Sequence, residues 1–490
     1  MVQEAAVDPS GRLERHSFEA ITRQTAAGLA WTGVAMLLGF AVRLILARKM
    51  TPHGMGVVLA AQAFVGLALA CAELGVPDAV VRYVGRDASA HAAPKDTVRV
   101  ALRLVGGAGA IVAVASLAAL WGWFGTSMTP DAAAATALLI LSLPMLAAGD
   151  VFGAAFRGIN RLSTKLVIAD VARPAIVAGI LLASPLVLTV RASYVAAVYV
   201  AAAVVSAVAF GVLFFRDPRW EARGVGAPDL LRFGIPIAGA AVIAGPLVNS
   251  MLPLMLTAGP GPEAVALFTV ALSLQSLVYL PIGVFEQAVV PAWSRMSMHE
   301  PRPALAASYQ RFAHIGFAAA ASAGIVIIAS DRAILTTLFG PSYAAAAWAV
   351  KAAVLATVFG AFTGPNEGML RALGLSGVIF RSRTIAAVAG VAAGFVLIPR
   401  YGLAGAAVAF AMTNVMINGL YAIYLHRDGG IHPLTTRHAV TALLSAAGLG
   451  AALQAADGAA PLWIAAHVCA ISVLIANADL RLALRTVARR

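Results

Sequence analysis

Long uninterrupted runs of apolar residues are the feature that most constrains how this chain can fold. The runs are about 18 to 27 residues long, which is the length that a helix needs to cross a hydrocarbon core of about 30 Å. Composition agrees, because 61% of the 490 residues are hydrophobic and only 12% are charged. Inside a bilayer the backbone must pair its polar groups internally, so runs of this kind fold as helices. The chain is therefore predicted to be an all-α, polytopic membrane protein.

About fourteen transmembrane helices are predicted from these runs. They cover residues 26–47, 56–78, 101–124, 132–156, 166–190, 192–215, 233–256, 264–290, 310–330, 344–363, 377–398, 402–425, 438–456 and 460–477. The corresponding units are an N-terminal tail (1–24), a six-helix bundle (25–215), a linker (216–232), a second six-helix bundle (233–427), an additional helix pair (438–477) and a basic tail (478–490).

The distribution of Lys and Arg orients this map. If the N-terminal tail and the even-numbered loops share one side, that side carries 27 of the 35 basic residues and the opposite side carries five. Basic loops stay in the cytoplasm, so both termini are predicted to be cytoplasmic in a bacterial inner membrane. The net charge of +13 is spread over short loops. This excludes a nucleic-acid-binding domain and favours contacts with anionic membrane lipids.

Motifs for enzymatic chemistry are absent from the sequence. It contains neither the Gly-x-x-x-x-Gly-Lys-Ser/Thr phosphate loop nor the His-Glu-x-x-His zinc motif. The nine histidines lack the spacing of metal ligands. The chain is therefore predicted not to be an enzyme and to hold no metal or cofactor.

Charged residues inside the apolar runs are the candidate functional groups, because each costs about 2.5–3.5 kcal/mol or more at the bilayer centre. Arg43, Arg173 and Lys351 are the candidates for a cationic cavity lining, with Asn249 as an uncharged polar partner. Two alternatives stay open. Arg43 and Lys351 can snorkel to the interface, and Arg173 can be neutralised by Asp170 three residues earlier.

Acidic residues are the candidates for ion coupling. Glu73, Asp170 and Glu286 are selected because Glu73 and Glu286 occupy comparable places in the two predicted halves and Asp170 lies within a helix. The alternative is interfacial hydration or local pairing, and Glu367, one turn before Arg371, is interpreted in that way. Gln275, Asn414 and Asn418 are predicted to bond between helices.

Several short motifs resemble those of Wzx-type polysaccharide flippases, and they occur in that family's order. They are Leu46-Ala47-Arg48-Lys49-Met50-Thr51-Pro52-His53-Gly54-Met55-Gly56, Leu231-Arg232-Phe233-Gly234-Ile235-Pro236, Phe339-Gly340 with Tyr343, and Ile398-Pro399-Arg400-Tyr401-Gly402-Leu403-Ala404-Gly405-Ala406-Ala407. Met50 replaces the leucine that the family has there. The resemblance implies the multidrug/oligosaccharidyl-lipid/polysaccharide exporter fold, with two six-helix bundles forming an inverted V around a cavity that opens alternately to each side.

The resemblance also implies a function. The expected substrate is an undecaprenyl-pyrophosphate-linked oligosaccharide that moves from the inner to the outer leaflet for exopolysaccharide, capsule or O-antigen synthesis. Implied partners are membrane lipids, a polysaccharide polymerase and a chain-length regulator. The candidate driving forces are a H⁺ or Na⁺ gradient and the membrane potential. A lipid II-type flippase, a cation-coupled multidrug exporter of the same superfamily and a non-transporting membrane scaffold are the alternatives.

Overall fold

The computed structural model of the protein describes residues 12–87, 93–124, 128–159, 161–184, 190–217, 220–221, 224–244 and 246–454. The chain is helical throughout these ranges, apart from two short strands. The α-helices are α1 (Arg12–Lys49), α2 (Pro52–Glu73), α3 (Val76–Asp87), α4 (Lys95–Ala119), α5 (Pro130–Leu141), α6 (Leu143–Gly158), α7 (Leu162–Lys165), α8 (Arg173–Ala183), α9 (Ala192–Arg216), α10 (Ala227–Ala244), α11 (Pro246–Ala258), α12 (Pro262–His299), α13 (Arg302–Ala329), α14 (Asp331–Ile334), α15 (Ala347–Thr363), α16 (Asn366–Ala372), α17 (Ser376–Gly429) and α18 (Thr436–Gln454).

Three π-helical segments and one 3₁₀ segment continue these helices. They are Leu120–Phe124 after α4, Leu166–Ala172 between α7 and α8, Leu335–Phe339 after α14, and the 3₁₀ turn Pro341–Ala346 before α15. α2 and α5 start in the same way, with a threonine N-cap followed by proline. Thr51 accepts a hydrogen bond from the Gly54 amide at 3.1 Å, and Thr129 accepts one from Ala132 at 3.3 Å. Proline suits the first helical position because no intrahelical partner exists there for an amide.

Within the described residues, each of the first thirteen predicted crossings lies largely in helix. Ten helices in the described part of the chain are long and apolar enough to cross a membrane. One of them, Ser376–Arg427, contains two predicted crossings, and Gly402 divides it with non-helical torsions of φ 53° and ψ −125°. The crossing predicted at 460–477 lies outside the described residues, so the number fourteen stays a prediction, as do the unit boundaries. The all-α polytopic fold is confirmed.

Buried apolar side chains form three clusters that describe the shape of the helical assembly. The largest cluster extends across both halves of the chain, from α1, α2, α5, α8 and α9 to α12, α13 and α15. Its members lie toward the end of the molecule where α1 finishes and α2 begins, which we call the joined end. At the opposite end one cluster belongs to the first half, around Val151 and Phe156, and another belongs to the second half, around Trp293 and Tyr309. The two halves thus share a core at one end. At the other end their main cores are separate, although α10 packs on the first half through Leu230 and Phe233.

Direct contacts between the halves also occur at the joined end. The Arg48 guanidinium donates to the backbone carbonyls of Thr337 and Leu338. Gly56 of α2 packs directly on the carbonyl group of Pro262 at the start of α12, where a side chain would not fit. The Tyr343 hydroxyl lies 3.2 Å from the Met55 sulfur. These contacts close the joined end.

The segment that links the two halves is attached to the first one. Strand β1 (Ala93–Pro94) pairs in parallel with β2 (Trp220–Glu221). The Trp220 ring is buried against Phe156 and Phe214, with ring centroids 6.2 and 4.6 Å away. The Val225 amide donates to Thr97 Oγ1 at 3.1 Å. The linker therefore belongs structurally to the first half as far as Val225.

Candidate functional site

A cavity of about 530 Å³ lies inside the second half of the chain, and most of its lining is polar. This volume is within the range of about 300–1,000 Å³ that is usual for ligand sites. α12 contributes Gln275, Tyr279 and Glu286, while α15 and α16 contribute the segment from Thr357 to Glu367. α17 contributes residues from both of its legs: Arg383, Phe410, Thr413, Asn414, Ile417, Asn418 and Tyr421. Four helices thus direct polar side chains into one space.

A charged cluster lies at one side of this cavity. The Arg383 guanidinium donates to Glu367 Oε2 at 2.6 Å and to the Tyr421 hydroxyl at 3.2 Å. Arg371 forms a second ion pair with the other oxygen of Glu367. The Glu367 side chain is only 17% exposed. The prediction that Glu367 pairs locally with Arg371 is confirmed. The pair with Arg383 across the cavity was not predicted.

A hydrogen-bond network joins α13, α15, α16 and α17 below this cluster. The buried Tyr309 hydroxyl lies 2.5 Å from Asn366 Oδ1 and 2.9 Å from the Thr363 carbonyl. The Asn366 amide in turn donates to Thr363 Oγ1 at 2.9 Å. Gly364 has a φ of 95° and packs on the Tyr309 ring, so a side chain there would meet both strain and a steric clash. The network fixes the turn that places Glu367 in the cavity.

Glu286 is the one predicted coupling residue that the structure places in this cavity. Its carboxylate accepts a hydrogen bond from the Tyr279 hydroxyl at 3.2 Å. Gly368 lies beside the Glu286 side chain. The prediction from sequence identified Glu286 but not its neighbours, because α16 is too short and too polar to be recognised as part of a membrane-embedded wall.

A second polar group lies where the two halves meet. Arg43 of α1 donates to Ser273 Oγ of α12 at 3.2 Å, a bond between residues 230 positions apart. Tyr199 of α9 lies beside the guanidinium, and its side chain is hydrogen-bonded to Gln62 of α2. Among the described residues Arg43 has no carboxylate partner. Its charge is therefore unmatched at the interface between the halves.

The charges on the fifth predicted crossing are arranged differently from the expectation. Asp170 forms its ion pair with Lys165 at 2.6 Å, and not with Arg173. The reason is the π-helical segment Leu166–Ala172, in which residues five apart are neighbours. Arg173 instead extends toward Gly149 of α6, and its Nε is buried without a hydrogen-bond partner. The alternative in which Asp170 neutralises Arg173 was wrong.

Two further predicted residues are paired, and one lies outside the described side chains. Glu73, the last residue of α2, is hydrogen-bonded to Asp150 of α6, with Arg157 nearby. Lys351 forms an ion pair with Asp331 at 3.5 Å, and the Asp331 side chain is only 8% exposed. The Lys351 charge is thus matched within the second half. The Asn249 side chain lies outside the part of the structure that is described.

Metal ligation finds no support in the described residues, where no group of three or more His, Cys, Asp or Glu side chains is close enough to hold an ion. The arrangement instead offers three settings for a polar ligand inside a membrane: a partly open polar cavity, an unmatched arginine between two helical halves and an arginine on α8 whose Nε is buried without a partner. Together with the helical architecture, these settings define a multi-pass membrane protein with an internal, solute-sized polar interior.

The comparisons with known proteins narrow this class. A family model described as "Polysaccharide biosynthesis protein" matches residues 21–297, more than half of the chain. The chain therefore belongs to the polysaccharide biosynthesis protein family of the MOP superfamily, which contains the Wzx-type flippases, and this confirms the resemblance seen in the sequence motifs. Among curated proteins, none matches this sequence.

Solved structures share the fold at low sequence identity. Lipid II flippase MurJ in an inward closed conformation is 12% identical, with a TM-score of 0.66 over 94% of this chain and 99% of that chain. An inward-facing multidrug resistance MATE family transporter of the MOP superfamily is 15% identical, with a TM-score of 0.59 over 80% and 93%. A MOP superfamily transporter from Pyrococcus furiosus is 16% identical, with a TM-score of 0.53 over 83% and 94%.

Proposed function

We propose that this protein is a flippase that moves an undecaprenyl-pyrophosphate-linked oligosaccharide from the inner to the outer leaflet of the bacterial inner membrane. The observation that carries the proposal is Arg43, an unmatched guanidinium at the interface between the halves. An isolated charge at membrane depth is costly, and a pyrophosphate is the ligand whose geometry and charge suit a guanidinium best. Arg173, with a buried Nε that has no partner, is the second residue for this role.

The direction of transport follows from the charge distribution and from the closed end. By the positive-inside rule, the joined end is the outer end, because α1 starts on the basic, cytoplasmic side and ends at the joined end. The structure is then closed toward the outside, with separate cores toward the cytoplasm. Such a state suits loading from the inner leaflet. The opposite state requires the Arg48, Gly56 and Tyr343 contacts to separate, which is the alternating access expected of this fold.

The driving force in this proposal combines membrane potential and proton movement. Outward movement of an anionic headgroup gains about 2.3 kcal/mol per charge per 100 mV when the cytoplasm is negative. Glu73 and Asp150 form a hydrogen-bonded carboxyl pair. We assign the coupling proton to Glu73, with Glu286 and Asp170 as further candidates. The translocated product would pass to a polysaccharide polymerase and its chain-length regulator.

The experiment uses purified protein in liposomes and a fluorescent polyprenyl-pyrophosphate oligosaccharide, whose flipping is followed by chemical quenching in the outer leaflet. Arg43→Ala removes a charge-assisted contact of about 1.5–3 kcal/mol, so flipping at limiting substrate is expected to fall about 10- to 150-fold. Arg43→Lys should fall less, because the charge is retained. Arg99→Ala is the matched control, because Arg99 is exposed and pairs locally with Asp96. Wild-type flipping rates in both Arg43→Ala and Arg173→Ala would refute the assignment.

A further inference from the structure

Three carboxamide side chains face the cavity of the second half with acceptor oxygens that have no partner. Gln275 uses its amide nitrogen to donate to Thr357 Oγ1 at 2.8 Å. Asn414 and Asn418 donate to the carbonyls of Phe410 and Asn414, at 3.1 and 2.9 Å. Within the described chain none of the three carboxamide oxygens accepts a hydrogen bond. All three line the same cavity.

Unpaired amide oxygens at membrane depth require a polar occupant. An amide group without a hydrogen-bond partner costs several kcal/mol in an apolar medium. In the membrane-embedded walls of this cavity the occupant is therefore water or a ligand rich in hydroxyl donors. Gln275 bonds between helices as predicted, but Asn414 and Asn418 donate to carbonyls of their own helix, so the prediction was wrong for these two. All three oxygens are left to that occupant.

The side chain of Asn418 shows that the cavity has a built shape. Its carboxamide lies directly over Gly360 of α15, where an added Cβ would be 2.9 Å from Nδ2. Glycine at this position therefore makes room for the amide, while the amide nitrogen itself bonds to its own helix. The oxygen is left for the cavity.

The charges in the cavity indicate which ligand chemistry fits. Two carboxylates, Glu286 and Glu367, and the guanidinium of Arg383 line the cavity. Arg371 pairs with Glu367 from outside the lining, so the formal charges of the whole cluster balance. A balanced cluster has no excess cation to attract a phosphate and no excess carboxylate to attract a cation. The lining offers amides, the phenols of Tyr279 and Tyr421 and a paired ionic cluster. These groups form hydrogen bonds with neutral hydroxyls.

We propose that this cavity is the subsite for the uncharged sugars of the substrate, separate from the arginines that bind its pyrophosphate. This rests on the flippase function proposed above and adds where the glycan binds. Ser273, which accepts from Arg43, and Gln275 are two positions apart on α12, which is about 3 Å along the helix axis. The glycan subsite thus begins near the depth of Ser273, on a different face of α12, and extends along that helix to Glu286.

The test compares the affinity of the full-length protein for two probes, bare polyprenyl pyrophosphate and the same lipid carrying an uncharged trisaccharide. Gln275→Met and Asn414→Leu remove the amides while nearly preserving side-chain size. Each is expected to weaken binding of the glycosylated lipid about tenfold, and the double variant about a hundredfold, with the bare lipid unaffected. Gln310→Met, on α13 outside the cavity lining, is the matched control and should bind both lipids as the wild type does.

The outcomes separate this subsite from the flippase proposal. Arg43→Ala should weaken both lipids equally, because it acts on the pyrophosphate. Equal affinity of the wild type for both lipids, or a glycan preference that survives in the double variant, would overturn the subsite alone. If the wild type bound neither lipid, the flippase proposal would fail as well. The lipophilic cation tetraphenylphosphonium tests whether the cavity binds cations. If it displaced the glycosylated lipid from the wild type and this displacement were lost in the double variant, the cavity would be assigned to cations and the inference overturned.

Discussion

Gly56 is the position where a single carbon atom should change the conformational balance of the protein. An alanine Cβ at this site would overlap the Pro262 carbonyl, so α2 and α12 must move apart until the new carbon reaches an ordinary contact of 3.4 Å or more. Overpacking of this kind costs about 1–3 kcal/mol. The cost applies only while the joined end is closed. Gly56→Ala is therefore expected to lower the ratio of closed to open molecules about 5- to 150-fold.

Spin-label distances across the joined end measure this ratio. Labels at His53 and Ala333, one on each half and both exposed, would be introduced after replacement of Cys71 and Cys469. The wild type should show one short distance, and Gly56→Ala should add or favour a longer one. Gly39→Ala is the matched control, because nothing lies within 4 Å of its added Cβ. If Gly56→Ala folds and keeps the wild-type distance distribution, the closed joined end does not depend on this contact and the reasoning is refuted.

Three further predictions concern the pairings described above. Glu367→Gln removes the partner of Arg371 and Arg383, and it should lower both the thermal stability in detergent and the affinity for the glycosylated lipid. Arg371→Gln, at a side chain that is 60% exposed, should change both quantities much less. Equal effects of the two variants would contradict the role of Arg383. Asp331→Asn leaves the Lys351 charge unmatched and should destabilise the protein by about 1–3 kcal/mol, a moderate loss because Lys351 is still 29% exposed. The double variant Asp331→Asn/Lys351→Met should recover most of this stability. No recovery would show that loss of the ion pair is not the cause. Trp220→Ala removes a buried ring that packs against Phe156 and Phe214, and it should cost about 3–5 kcal/mol of local stability. The loss should be visible as faster proteolysis of the linker. Trp348→Ala, at an exposed ring, should not accelerate this proteolysis.

The helices and their approximate bounds followed from the sequence, because hydropathy and backbone pairing in a bilayer are local constraints. The pairing of charged residues did not follow to the same degree. Asp170 was assigned to Arg173 by the spacing of a regular α-helix, which the π-helical segment does not obey. No partner was predicted for Arg383, because Glu367 lies on a different helix and sequence spacing does not show which helices pack together.

The functional cavity was predicted only in part for the same reason. Glu286 could be selected because a carboxyl group in an apolar run is unusual by itself. The role of Asn414 and Asn418 depends on which face of α17 each occupies and on Gly360 opposite them, which only the packed structure shows. The Lys351 pair illustrates a signal that was available, since Asp331 lies in the short connection that precedes α15 on the same predicted side of the membrane.

The π-helical segment Leu166–Ala172 has a consequence for insertions and deletions in this part of the chain. A π-turn amounts to one residue inserted into an α-helix, and each residue rotates the helix surface by about 100°. Loss of one residue within 166–172 would shorten the membrane span by only about 1.5 Å. In the regular α-helix that this deletion restores, Lys165 and Asp170 would be four positions apart and still neighbours, and Arg173 would keep its direction toward Gly149. The π-helical turn therefore allows this helix to lose one residue while its charges keep their register.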